Sequence, residues 1–236
     1  MEKRVPHYDL EQIQDAVVRL GAAAFTKTAL DGGRAMGLTT GEMRAAIVSL
    51  ARRDFYKSMT TRLDHRIWQD VYHGHAHEKG GVYPGHDARR RACDPVQGEM
   101  TMAARSCGSC VSPRLKRFEN KTFSVQHDGL SEAVKGLSGW RCGGCDEVEF
   151  DPTSARKYAS AGDRLVLRAR EIERSEIRRI RRKLGLTQTA AARLTGGGHN
   201  AFSRYERGEA VPLPAVVNLL KLLDKHPNLL KDLVAS

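Results

Sequence analysis

The sequence predicts an α+β chain: a mixed α/β segment, then a small β-rich domain built on paired cysteines, then an all-α domain. Three observations predict it. Helical periodicities in the first fifty residues give way to short runs of aromatic and β-branched residues. Two Cys-x-x-Cys pairs bracket a stretch of alternating apolar and polar residues. The last sixty residues break into five short helical patterns separated by glycine and proline. The boundaries implied are 1–83, 84–104, 105–173 and 174–236.

In the first segment Leu10, Ile13, Val17 and Leu20 fall on one helical face. A second helix is predicted over Lys27–Met36. Thr39 and Glu42 form a capping box ahead of Met43, Ile47 and Leu50. Strands are predicted over Asp54–Thr60 and Ile67–Tyr72. His73, His75 and His77 alternate as chelating residues on a strand would, or as a polar loop would.

Residues 84–99 have neither period. They hold Pro84, Pro95 and the run Arg89 to Arg91, so 84–104 is expected to be a disordered linker, with Cys93 a free thiol.

The next segment carries Cys107, Cys110, Cys142 and Cys145. Each pair sits in a Gly/Ser-rich turn, and 31 residues separate the pairs. Four thiolates suit one tetrahedral Zn²⁺, a structural ion, one per chain. The alternative is two unrelated reduced pairs. Between them Asp128 and Gly129 form a two-residue hairpin turn, with Phe123 and Val125 alternating before it. Asp151 and Pro152 then read as the cap and first residue of a helix or helical connector running to about residue 170.

Ser175 is read as capping the first C-terminal helix, with Ile177, Ile180 and Leu184 on one face and Gly185 as its stop. Thr187 caps a second. Gly196 to Gly198 form a tight turn into a third helix, from His199 or Asn200 to about Arg207, with Phe202 and Tyr205 as its apolar side. A fourth follows Pro212 and Pro214, and a fifth follows Pro227. Five short helices with a tight second-to-third turn are the architecture of a repressor-type (Cro/C1-type) helix-turn-helix. The third helix would enter the major groove of duplex DNA. Asn200 suits adenine, and Arg204, one turn later, suits guanine; the alternatives are a helix cap and a surface charge. Ser203 and the basic run from Arg178 to Lys183, including Arg181, are candidates for phosphate contact, or only a solvated face. The net charge of +11 agrees with a polyanionic partner. No signal peptide or spanning segment is read, so a cytoplasmic protein with reduced thiols is expected, at the nucleoid when bound to DNA.

The strings Lys183 to Gln188, Gly196 to Glu206 and Leu223 to Pro227, with the four cysteines, resemble the MqsA-type antitoxins. The resemblance implies a zinc domain that binds a toxin. It also implies a C-terminal helix-turn-helix that dimerises and represses the operon at a palindromic operator, with base-reading residues at Asn200 and Arg204. Residues 1–7, Asp54 to Thr61 and Ile67 to Tyr72 resemble the matching MqsR-type toxin, an mRNA interferase of RelE-like fold. That resemblance places its metal-independent catalytic residues on Lys57, Gln69 and Tyr83. After Tyr83 the chain departs from the family, where two further apolar strands would follow. A truncated toxin fragment fused to an antitoxin repressor is therefore expected, with an inactive catalytic site. The alternative is an interferase held in check by its own tethered antitoxin.

Overall fold

A computed structural model describes residues 1–61, 65–74 and 105–234. The first three helices form where they are expected, two of them started by caps not read from the sequence, Asp9 and Thr26. Asp9 accepts from the Gln12 N–H to start α1 (Leu10–Leu20). Thr26 does the same for α2 (Lys27–Ala35). Thr39 and Glu42 close a complete capping box on α3 (Thr40–Val48). An antiparallel sheet of order β1 (Glu2–Lys3), β2 (Phe55–Thr60), β3 (Trp68–Tyr72) follows. Buried Asp70 ties the N-terminal segment to it, accepting from the N–H groups of His7 and Tyr8 and from the Ser58 hydroxyl.

A second antiparallel sheet is ordered β4 (Leu115–His127), β5 (Leu130–Cys142), β6 (Val148–Phe150). Asp128 and Gly129 turn its hairpin at φ 46° and 76°. Those two positive values make it a primed turn, whose twist matches the strands. The helix α4 begins at Pro152 as expected, with the Ala155 N–H bonded to the Asp151 carbonyl. The Asp151 carboxylate takes both prongs of the Arg117 guanidinium at 2.8 Å.

One boundary differs from expectation. Ser175 caps nothing: α4 runs unbroken over Pro152–Lys183, 32 residues. The charged stretch 168–174 contains Arg, Ala, Glu and Ile and no Gly or Pro, so nothing in it stops a helix. Gly185, at φ 68°, ends the turn after α4. Then come α5 (Gln188–Leu194), capped by Thr187, α6 (Ala201–Arg207), ended by left-handed Gly208, α7 (Pro214–Lys225) and α8 (Leu229–Val234). No helix among the described residues is long and apolar enough to cross a membrane.

The described residues up to Val166 form one compact unit and those from Leu167 a second. In the first, one buried cluster unites Phe25, Leu30 and Met43 of the N-terminal segment with Val125, Leu137, Phe150 and Tyr158. In the second, Ile177, Ile180, Ala191, Phe202, Val217 and Leu220 make a small all-helical core. The expected linker, with Cys93, lies outside the described residues.

Candidate metal centre and nucleic-acid interface

In the first unit the four cysteines converge. Their sulfurs all lie within 4.8 Å of one another, with Cys107 and Cys142 buried and Cys110 and Cys145 half-buried. Each Cys-x-x-Cys turn closes on itself. The Val111 N–H reaches the Cys107 carbonyl at 2.8 Å, and the Asp146 N–H reaches the Cys142 carbonyl at 3.0 Å. The residue after each pair is left-handed, Val111 at φ 55° and Asp146 at φ 60°, which folds both thiols inward. The Cys107–Cys145 sulfurs are 3.7 Å apart and the Cys110–Cys142 sulfurs 3.5 Å. Metal–sulfur bonds of about 2.3 Å in a tetrahedron set sulfur edges of about 3.8 Å, so the donor set fits a tetrahedral ion.

Backbone N–H groups point at two of the sulfurs. Ser109 N–H points at Cys107 Sγ at 3.4 Å, and Gly144 N–H at Cys142 Sγ at 3.2 Å. Burial pushes the Cys142 thiol up, but the N–H groups of Cys145 and Gly144 outweigh it and bring it to about 7. Burial dominates at Cys145, pushed up to about 11, and at Cys107, also raised. A cation at the centre would be needed to hold all four deprotonated together.

In the second unit α6 has two unlike faces. Inward, Phe202 is fully buried and packs edge-on against Tyr205 at 5.6 Å. Glu206 is buried beside them. Its carboxylate accepts from Arg181 Nε at 2.5 Å, Gln188 Nε2 at 3.0 Å and Arg178 Nε at 3.3 Å. Burial pushes Glu206 up, but the Arg181 and Gln188 hydrogen bonds outweigh it and hold it below the usual carboxylate range. Outward, Asn200 and Arg204 are exposed one turn apart. The Asn200 side chain makes no capping bond. Arg204 has no ion pair among the described residues. The Ser203 hydroxyl accepts from Arg207, which also pairs with Glu209 at 2.6 Å.

Arg181 is not a surface residue. It is buried, with Nη1 donating to the Leu186 carbonyl at 2.8 Å and the rest of its fork on Glu206. The phosphate contact expected of it is corrected to an internal clamp. The basic run is divided by helical period: Arg181 follows Ile177 by one turn and shares its buried face. Arg179 and Lys183 pair with Asp224 at 2.6 Å each, and these two cations depress its carboxyl to about 2. Arg182 is exposed, without an ion pair among the described residues.

The first sheet brings two of the three expected toxin residues together. Lys57 pairs with Val71 and Met59 with Gln69, so Lys57 and Gln69 are diagonal neighbours on one face. Lys57 Nζ is held by Glu2 Oε2 at 2.6 Å. Tyr83, His75 and His77 lie outside the described residues; His73 stacks on Tyr56 at 4.6 Å. Sequence reasoning missed Glu206 as the partner of Arg181 and Gln188 as a second donor to Glu206, and Tyr158 as a core residue. The i to i+4 spacing of Ile177 and Arg181 was the available signal for the first.

Two families of the bacterial toxin–antitoxin class match the two parts of the chain. The family described as the antitoxin component of bacterial toxin–antitoxin system, MqsA, matches residues 105–234. The family described as motility quorum-sensing regulator, toxin of MqsA, matches residues 5–84. Antitoxin MqsA of Escherichia coli K12 is 37% identical over 107 residues, covering 44% of this chain and 82% of that protein. The mRNA interferase toxin MqsR of the same organism is 47% identical over 72 residues, covering 30% of this chain and 72% of that protein. The chain belongs to the MqsA antitoxin family and carries an MqsR-like part ahead of it, a fusion of the two.

Proposed function

We propose that this fusion is an antitoxin-type, sequence-specific DNA-binding repressor of its own operon, with an inactive MqsR-like part and one structural Zn²⁺ on Cys107, Cys110, Cys142 and Cys145. In this reading α5 and α6 are the helix-turn-helix. The observation that carries it is the two-faced α6: its inner face is clamped through Glu206, while Asn200 and Arg204 stand exposed one turn apart. That arrangement pre-orients a recognition helix and leaves its base-reading groups uncommitted. A homodimer through the C-terminal unit would read a palindromic operator. Anisotropy titration of the zinc-loaded chain on the duplex upstream of its own gene tests this. Arg204→Ala is expected to weaken binding by about 1–3 kcal/mol on that duplex, with little change on an unrelated one. Weak binding equal on both duplexes and lost with salt would leave only basic-surface attraction.

The inactive toxin part is supported by the Lys57–Glu2 ion pair, which occupies the ammonium that would meet phosphate. The shared face of Lys57 and Gln69 favours a second reading, an endoribonuclease held by its own antitoxin half. Induction of residues 1–99 separates the two. No growth arrest is expected, with the fragment shown to accumulate; arrest that Lys57→Ala abolishes establishes the enzyme.

A further inference from the structure

We infer that the antitoxin half holds its own toxin-like half through a charged keyhole, Arg34 seated on Gly162 and Tyr158, so that its toxin-binding surface is closed in cis to a second toxin. This rests on the toxin–antitoxin reading above. The two halves share one buried cluster in the first unit. Around it the polar groups interlock. Arg34 is 5% exposed, an unusual depth for a guanidinium, and lies over the Tyr158 ring at 5.3 Å. Its Nη1 donates to Asp31 Oδ1 at 3.0 Å, and the Tyr158 hydroxyl donates to the same oxygen at 2.7 Å. A Cβ at Gly162 would stand 2.5 Å from the Arg34 Nε. Glycine inside a long helix costs stability, and this one makes room for that guanidinium.

Two acids of the antitoxin half complete the lock at helix N-termini. Glu147 Oε1 accepts from the Thr28 N–H in the first turn of α2 at 3.2 Å. Asp163 Oδ1 accepts from the Thr40 N–H at 2.7 Å and its hydroxyl at 2.9 Å, at the start of α3. Both carboxylates satisfy N–H groups that a helix leaves unbonded, and both meet the positive end of its dipole. The toxin-like helices thus take part of their capping from the other half of the chain, which makes the contact specific and not merely apolar.

The test uses the full chain with a protease site placed between residues 88 and 92. After cutting, the two pieces are expected to co-elute from a sizing column as a one-to-one complex, and Arg34→Glu and Gly162→Leu to weaken it by about 30-fold or more. With the N-terminal piece of the cut complex labelled, uncut wild-type chain is expected to take up no label. Uncut Arg34→Glu chain, whose own first half has lost its seat, takes it up. Circular dichroism checks that each variant is folded; a variant that is not is replaced by Arg34→Gln. Pieces that part in the wild type, or label passing equally to wild type and Arg34→Glu, would overturn the closed keyhole. Both results are read without DNA, so they stand apart from failure of the repressor reading.

Discussion

Stripping the metal, or replacing Cys107 or Cys142 with serine, is expected to unfold the cysteine domain and its hairpin while the C-terminal helices keep their own melting transition. Structural Zn²⁺ in zinc-finger peptides supplies about 10–16 kcal/mol of apparent binding free energy at neutral pH. A whole small domain has about 5–15 kcal/mol in hand. The ion's contribution is therefore comparable to the whole margin. Without it, buried Cys107 and Cys142 would sit within 4.8 Å of two other thiols with no centre to organise them. The left-handed Val111 would also lose what holds it, since a β-branched residue at φ 55° is unfavourable. The measurement is zinc content by mass spectrometry alongside a thermal melt before and after a strong chelator. One Zn²⁺ per chain and loss of one of two transitions is the expected result. An unchanged melt after the metal is gone, or a folded protein with no metal, would defeat it. Because the MqsR-like helices share the cluster around Tyr158, the lost transition should include them too.

How much of this was legible in the sequence divides by the range of the interaction. Local chemistry was readable: the Thr39–Glu42 capping box, the Asp128–Gly129 turn and Pro152 as first helical residue all appear as expected. These depend on a few neighbouring residues and on nothing far away. The four cysteines were readable because thiol pairs have few other uses in one cluster. The Ser175 boundary failed because a serine before an apolar period looks like a cap, while the helix is already running through residues that do not stop it. Arg181 failed for a related reason. Five basic residues were read as one surface, but burial is decided by the face, and the partner that makes its burial tolerable, Glu206, is 25 residues away. The Asp31–Tyr158 and Thr40–Asp163 bonds span more than 120 residues, and no local pattern encodes them.

That same Arg181–Glu206 pair gives the second large effect. Glu206→Ala is expected to destabilise the C-terminal unit by about 3–5 kcal/mol, because it leaves a buried guanidinium without its counter-charge. The two side chains are 11% and 4% exposed, so solvent screens the loss little. At about 0.05–0.15 kcal/mol per residue, that is much of the stability such a unit has. The double variant Glu206→Ala with Arg181→Met should recover much of the loss, since removing both charges removes the desolvation problem with them. The sign of the pH dependence follows from the depressed carboxyl. Glu206 binds its proton more weakly folded than unfolded, so its contribution is complete above the ordinary carboxylate range. It is lost as pH falls through the folded value, below the unfolded 4.5. Urea titrations followed by circular dichroism at neutral and acid pH measure both effects. The wild type should lose stability below about pH 4.5, and the double variant should lose less of it. A Glu206→Ala midpoint equal to wild type would mean that the clamp does not hold α6. In that case the orientation of Asn200 and Arg204 would have to come from the Phe202 packing alone.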